Sequence, residues 1–156
     1  RRYAMAMNFN YRFSTILKVK ELLEEKKKNH LAKELRQMKI EKDKLNVLLN
    51  KKESNLLKWD EITKDNKVTS IKELQNSAMH IENINRLVDV QTFSVQNQKI
   101  KLDETRQKLV EAKKQTKIFE KIKEKDYEEF LDEQAKQEAL VVDQLVTYKS
   151  TVKKGG

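Results

Sequence analysis

IENINRLVDVQTFSVQNQKIKLDETRQKL, residues 81–109, contains one branched apolar residue in every seven. These residues are Ile81, Val88, Val95, Leu102 and Leu109. A repeat of this kind is typical of the seam of a coiled coil. The half-heptad positions carry Ile84, Gln91, Gln98, Thr105 and Ala112, so the second row of the seam becomes polar or small midway. We therefore predict a long helix that packs lengthwise against a partner helix.

The rest of the chain lacks the residues that break helices. The 156 residues include no Pro and no Cys, and the only two glycines are Gly155 and Gly156. β-Sandwiches and barrels need frequent tight turns, and phosphate-binding loops need glycines, so both classes are disfavoured. The absence of Cys excludes a disulfide framework and a cysteine metal site. The composition favours an all-α protein.

A second helical pattern precedes the first, with a phase slip of one residue expected near Lys26, Lys27 and Lys28. Its predicted seam positions are Phe9, Phe13, Ile16, Lys20 and Leu23, then Leu31, Leu35, Met38, Lys42, Leu45, Leu49, Lys52, Leu56 and Trp59. The pattern stops between Trp59 and Ser70, where Asp, Asn, Thr and Ser gather. The segment Ser70-Ile71-Lys72-Glu73 has the form of a capping box, which predicts the start of another helix.

Together these patterns predict two long helices that form an antiparallel coiled-coil hairpin. We expect a single domain over residues 7–154, with helix 1 at about 9–59, a turn at 60–70 and helix 2 at about 71–150. Folding about residue 65 sets Phe13 near Phe119. Helix 2 is longer and overhangs by about 25 residues at ~1.5 Å rise each, which implies a partner or self-association for its apolar side chains. Residues 1–6 precede Met7, a plausible native start, and are expected to be a cloning remnant.

Nothing in the sequence indicates catalysis or a bound cofactor. The two histidines, His30 and His80, lie on different helices without metal-ligand spacing, and are expected to be surface or seam residues. The longest aliphatic run has three residues, far below the ~20 that span a bilayer. We therefore assign no catalytic residue, no cofactor, no metal and no membrane insertion.

The chain has a net charge of +9, and its basic residues include one unusual pattern, a lysine stripe. Lys113, Lys117, Lys121 and Lys125 recur every four residues, so that like charges follow one another along a helix. One interpretation is a solvated stripe balanced by Glu120, Glu124 or helix 1. The other is docking onto an acidic protein surface. Nucleic acid is disfavoured as a partner because few aromatic or Arg residues accompany the lysines.

Three segments resemble the FliJ family, the small coiled-coil component of the bacterial flagellar type III export apparatus. They are YRFSTILKVKE at 11–21, AKKQTKIFEKIKEK at 112–125 and EALVVDQ at 138–144. In the family pattern, a Lys-rich K-x-x-E-K-L-K-E/D stretch precedes a Glu and later an Asp-Glu pair. Here Gln144 stands at the second acidic position. The resemblance covers most of Met7 to Lys149.

The resemblance implies a non-enzymatic, cytoplasmic stalk in flagellum biogenesis and protein export, held at the membrane through partners. The implied partners are the export ATPase hexamer, the export gate membrane protein and the export chaperones. The implied ATPase contacts are Arg12, Phe13, Lys117, Lys121 and Lys125. The implied gate contacts lie early in helix 2 and form an outward stripe of His80, Ile84, Leu87 and Gln91. For Ile84 and Leu87, packing in the seam is an equally open interpretation.

Two further functions fit the same pattern. One is the homologous stalk of a virulence-type III secretion ATPase, or a piece of a rotary-ATPase rotor. The other is a general coiled-coil tether or a rod that binds nucleic acid.

Overall fold

The computed structural model describes residues 9–64 and 70–155, and within these ranges it contains two helices and no strand. Helix α1 spans Ser14–Lys64 and helix α2 spans Ile71–Gly155. Gln91 and Gln98 of α2 bond Glu41 and Glu34 of α1, so the two helices run in opposite directions. The predicted fold class, an all-α antiparallel helical hairpin with a longer second helix, is confirmed.

Helix α1 begins later than the expected residue 9. Residues 9–11 have no regular secondary structure and residues 12–13 form a turn, in which the Ser14 N–H donates to the Tyr11 carbonyl at 3.1 Å, and the helix follows. The physical reason is aromatic packing, because the rings in this segment contact α2 and hold the backbone away from a helical path. Residues 1–6 and Met7 lie outside the described residues.

Helix α1 also ends later than expected, because residues 60–64 of the predicted turn are helical. The hydroxyl of Thr63 donates to the Trp59 carbonyl at 2.9 Å, so this side chain is satisfied within the helix and does not terminate it. Residues 65–69 of the predicted turn lie outside the described residues. Ser70 caps α2, since its Oγ accepts the Glu73 N–H at 3.3 Å.

The contacts divide the described residues into two compact units. The terminal unit contains residues 9–24 and 111–155, and the mid-chain unit contains Glu25–Val110. Each unit holds one segment of α1 and one segment of α2. The expectation of a single domain over 7–154 stays a prediction.

The α2 seam follows the predicted seven-residue row. Val88, Leu102 and Leu109 are buried, and Ile81 and Val95 are half-buried. In the half-heptad row Ile84, Gln98 at 6% exposure and Thr105 at 4% are buried, and Gln91 and Ala112 are half-buried. This row of the interface is therefore polar at its centre.

The α1 seam corrects the expected phase slip near Lys26, Lys27 and Lys28. Buried and half-buried residues alternate at intervals of three and four along the whole helix without interruption. They are Leu17, Lys20, Glu24, Lys27, Leu31, Glu34, Met38, Glu41, Leu45, Leu48, Lys52, Asn55, Trp59 and Ile62, and Ala32 beside Leu31 is half-buried as well. The expected seam residues Leu35, Leu49 and Leu56 are 41–44% exposed and flank it. The reason is that Glu34 and Glu41 occupy the seam as acceptors for glutamines of α2.

The last part of α2 has no covering helix within the described chain. Phe130 is the last α2 residue with a described ring contact to the segment that precedes α1. From residue 135 to residue 153 every side chain is exposed, including Leu140, Leu145 and Val146 at 56–61%. No helix in the described ranges is long and apolar enough to cross a membrane.

Candidate functional site

An aromatic cluster in the terminal unit fixes two of the predicted ATPase contacts. Tyr11 is 7% exposed, and its hydroxyl donates to the Phe119 carbonyl at 2.7 Å. The ring of Phe13 lies 5.9 Å from those of Tyr11 and Phe119, edge to face in both pairs. The expected proximity of Phe13 and Phe119 is confirmed. Edge-to-face pairs add to the stabilisation from buried area, so the segment before α1 is anchored on α2.

The cluster continues along α2 through Phe9. Its ring centroid lies 5.1 Å from that of Tyr127 and 5.4 Å from that of Phe130. Tyr127 and Phe130 stack on each other at 6.5 Å. The sequence analysis did not assign a function to Phe9 or Tyr127. The signal that could have found this cluster is the aromatic spacing at both ends, in Phe9, Tyr11 and Phe13 and again in Tyr127 and Phe130.

Arg12 projects from this cluster toward solvent. Its Nε lies 3.1 Å from Asp126 Oδ2, and its side chain is 67% exposed. Its guanidinium carbon also lies 4.7 Å from the centroid of the Phe13 ring, a cation–π distance. Burial, assisted by the Asp126 charge, raises the pKa of the Tyr11 phenol, and the Arg12 charge opposes this. Arg12 is thus held in place but leaves part of its guanidinium accessible.

The predicted lysine stripe lies on the same unit. Lys117, Lys121 and Lys125 are all exposed, as is Lys113. Among the described residues, no ion pair connects these lysines to Glu120, Glu124 or α1. The balanced-stripe interpretation therefore lacks its expected contacts. The structure brings Lys117, Lys121 and Lys125 into one unit with Arg12 and Phe13.

Two polar layers cross the interface of the mid-chain unit. Gln98 Nε2 donates to Glu34 Oε2 at 2.5 Å and to the Glu34 carbonyl at 3.1 Å. Gln91 Nε2 donates to Glu41 Oε2 at 2.6 Å and to the Glu41 carbonyl at 2.9 Å. The two layers are one heptad apart on both helices, so each glutamine matches one glutamate in an antiparallel register.

A neighbour on α1 completes each layer from the outside. His30 Nε2 lies 3.4 Å from Glu34 Oε1, and Gln37 Nε2 donates to Glu41 Oε1 at 3.0 Å. The hydrogen bond from Gln91, with smaller contributions from Gln37 and the Lys44 charge, holds the pKa of Glu41 below its ordinary value despite desolvation. Both oxygens of each seam carboxylate therefore have a partner.

The four predicted gate contacts do not form the outward stripe that we expected. Ile84 is 6% exposed and belongs to the seam, and Gln91 is half-buried and bonded to Glu41. His80 is exposed, and Leu87 is 52% exposed. Packing in the seam was an open interpretation for Ile84 and Leu87; Ile84 lies in the seam and Leu87 does not. The reason is that Ile84 and Gln91 occupy the half-heptad row of α2. Their role as gate contacts stays a prediction.

Two open grooves lie on the mid-chain unit near these residues. One has a volume of about 490 Å³ and is mainly apolar, with Gln91 at its edge. Its lining residues are Ile40, Asp43, Lys44, Val47, Leu48 and Gln91. Ile40 and Val47 are 47% and 53% exposed. The sequence analysis missed this pair, although two outward apolar residues one heptad apart were a usable signal.

His80 lines the other groove, which has a volume of about 440 Å³. Its remaining lining residues are Asn55, Lys58, Ile62, Glu73, Asn76 and Ser77. His80 and Gln91 therefore belong to different grooves. In the described ranges no three His, Asp or Glu side chains come together as potential metal ligands.

The comparison with protein families agrees with the resemblance in the terminal and lysine-rich segments. The family model described as "Flagellar FliJ protein" matches residues 9–155, nearly the whole chain. No curated protein and no solved structure matches significantly. Since the match includes both helices and the segment that precedes α1, the chain belongs to the FliJ family of flagellar proteins.

Proposed function

We propose that this chain is the stalk of the flagellar export apparatus that binds the export ATPase ring, promotes its assembly or turnover, and links it to the membrane export gate and the export chaperones. The family is a structural component of that apparatus, which supports a role in export without chemistry. The proposed site of action is the cytoplasmic face of the membrane, reached through partners.

The observation that carries the ATPase contact is the exposed lysine stripe, which forms no ion pair within residues 9–64 and 70–155 and lies beside the anchored N-terminal cluster. Lys117, Lys121 and Lys125 add three positive charges, and Arg12, although paired with Asp126, has a side chain that is 67% exposed and accessible to a partner. Charge is screened over about 8 Å at physiological salt, so such a surface acts mainly on a partner in direct contact. An acidic lining inside a protein ring would meet this condition.

The aromatic cluster contributes by fixing the geometry of this surface. Because Tyr11 and Phe13 hold residues 9–13 on α2, Arg12 is presented without an ordering cost at binding. Phe13 itself is half-buried, so its accessible edge is available to a partner.

The test is ATPase binding by charge-reversed variants. The purified chain is mixed with its cognate export ATPase, and ring formation and ATP turnover are measured. We expect Lys117→Glu/Lys121→Glu/Lys125→Glu to weaken binding by about tenfold or more, since tenfold is only ~1.4 kcal/mol.

The matched control reverses three other exposed lysines of α2, Lys99, Lys101 and Lys108. It changes the net charge equally and is expected to retain most of the binding. If both variants lost the same binding affinity for the ATPase, net charge alone would explain the effect and the stripe would not be the contact. No co-migration and no change in turnover with the unaltered chain, or salt-sensitive retention of DNA without ATPase binding, would contradict the proposal.

For the gate contact, the mid-chain groove bordered by Ile40, Val47 and Gln91 offers an accessible apolar surface. Leu87 adds exposed apolar area, whereas Ile84 can act only by packing. We expect Ile40→Asp/Val47→Asp to reduce binding to the cytoplasmic part of the gate protein. The control, Ile100→Asp/Val110→Asp, alters residues of similar exposure on α2, and an equal loss of binding would reject the groove.

A further inference from the structure

Where α2 packs on the start of the chain, a second heptad seam begins, shifted by one residue from the seam of Val88, Leu102 and Leu109, and it continues beyond that part. Its positions alternate at intervals of four and three and are Tyr127, Leu131, Gln134, Glu138, Val141, Leu145, Tyr148 and Val152. The first three are half-buried, and Tyr127 packs on Phe9. The last four are 54%, 56%, 68% and 55% exposed. The same face is therefore an interface in its first part and lacks a partner among the described residues in its second part.

Charge is distributed unevenly along this segment. Residues 128–143 contain six carboxylates, Glu128, Glu129, Asp132, Glu133, Glu138 and Asp143, against one Lys136. After Asp143 the chain carries only basic charges, beginning with Lys149 and Lys153. Two copies aligned in parallel would place acid on acid and base on base, which is destabilising. Two antiparallel copies would place each basic end on the acidic part of the other.

We infer that this seam binds a second copy of the same chain, antiparallel and centred close to Asp143. In this arrangement Val141 of one copy faces Leu145 of the other, and Lys153 reaches Glu133. The interface is two-fold symmetric, so each contact occurs twice and the assembly closes at a dimer. The paired segment, residues 134–152, is about 28 Å long at ~1.5 Å per residue, about five helical turns of a two-stranded coiled coil.

This pairing uses a different surface from the proposed ATPase contact. Lys117, Lys121 and Lys125 precede the seam segment, and the four exposed seam residues all follow Glu138. The inference therefore stands or falls independently of ATPase binding.

The first test is the mass of the full chain in solution. Sedimentation equilibrium at tens of micromolar is expected to give about twice the 18.5 kDa of one chain, with dissociation on dilution. The variant Leu145→Asp is expected to raise the dissociation constant at least tenfold. Val146→Asp is the matched control, because Val146 is 61% exposed but lies off both heptad seams of α2. A monomer at all concentrations, or equal weakening by both variants, would overturn the proposal.

The second test determines the orientation and does not depend on a destabilising variant. The chain has no cysteine, so Gln134→Cys and Val152→Cys can each be the sole thiol. Antiparallel pairing sets residue 134 opposite residue 152, so we expect a disulfide between the two variants when they are mixed and oxidised. Each variant alone is expected to remain largely uncrosslinked. Efficient self-linking of Gln134→Cys, or no link in the mixture, would overturn the antiparallel dimer.

Discussion

The Gln98–Glu34 layer allows the clearest test of how the seam is built. Gln98 is 6% exposed, and the Glu34 side chain is 17% exposed. Gln98→Leu keeps the side-chain size but removes both hydrogen bonds, one of which is to a carboxylate. Losing a hydrogen bond to a charged group costs ~1.5–3 kcal/mol when the partner stays unpaired. We therefore expect Gln98→Leu to lower the free energy of unfolding by about 2 kcal/mol, and Glu34→Leu to lower it by less, because Gln98 keeps its bond to the backbone carbonyl of residue 34.

The double variant Glu34→Leu/Gln98→Leu is expected to behave differently. It removes both polar partners and places two apolar side chains face to face, which is often neutral or stabilising. We expect it to be at least as stable as the unaltered chain, so that the coupling energy is at least the sum of the two single losses, above ~2 kcal/mol.

The assay is urea unfolding of the four proteins, followed by circular dichroism at 222 nm. The matched control is a cycle with Leu35→Ala, because Leu35 is 44% exposed and flanks the seam. Its combination with Gln98→Leu is expected to be additive within ~0.5 kcal/mol. A coupling below ~0.5 kcal/mol between Glu34 and Gln98 would refute the buried layer.

Three further predictions follow from the same contacts. Tyr11→Phe removes the hydrogen bond to α2 and is expected to lower the Tm. The folded pKa of Tyr11 is raised, so the stabilisation by this phenol is present below the ordinary Tyr pKa of about 10. It is lost as pH rises through the folded pKa. A Tm that is the same for both proteins from pH 7 to 11 would contradict this. Because the pKa of Glu41 is lowered mainly by Gln91, its stabilisation is present above the ordinary Glu pKa and is lost as pH falls through the folded pKa. Gln91→Leu should therefore lose less stability than the unaltered chain on acidification from pH 6 to 3, and equal losses would reject the link. Finally, Ile84→Ala is expected to cost ~2–4 kcal/mol, whereas Leu87→Ala should change stability by less than ~0.5 kcal/mol; similar costs in urea unfolding would reject their assignment to seam and surface.

The sequence predicted the second helix better than the first, and the reason is physical. On α2 the seam row is apolar every seven residues, so hydrophobic spacing alone identifies Val88, Leu102 and Leu109. On α1 the seam contains Glu34 and Glu41, which a search for apolar spacing cannot select. The search therefore chose neighbouring leucines and introduced a phase slip. The matching glutamines on α2 were the missing signal, because a buried amide needs an acceptor across the interface.

The helix ends were predicted less well than the helices themselves. Local propensity treats Thr63 as a turn residue, but its hydroxyl bonds within the helix. Apolar spacing treats Phe9 and Phe13 as the first helical seam positions, but both precede helix α1, in a segment that aromatic contacts hold on α2. Such tertiary contacts override local preference and are not visible in a single segment of sequence.

The charged part of the candidate site was predictable from sequence, whereas the helix face on which the gate residues lie was predicted inconsistently. Exposed lysines at regular spacing could be identified from sequence, and Lys117, Lys121 and Lys125 are exposed. The resemblance placed Ile84 and Gln91 in an outward stripe, although the heptad spacing had already assigned both to the second row of the seam, where the structure has them. Their proposed role at the gate depends on measurement.

Site-specific photocrosslinking in the cell tests the central claim, contact with the export ATPase, most directly. A photoreactive amino acid at Lys121 is expected to crosslink to the ATPase, because this position lies in the middle of the exposed stripe. The same group at Lys99, exposed on the same helix, is expected to give little or no ATPase product. Crosslinking at Lys99 but not at Lys121, or no ATPase product from either position in cells that assemble flagella, would contradict the account.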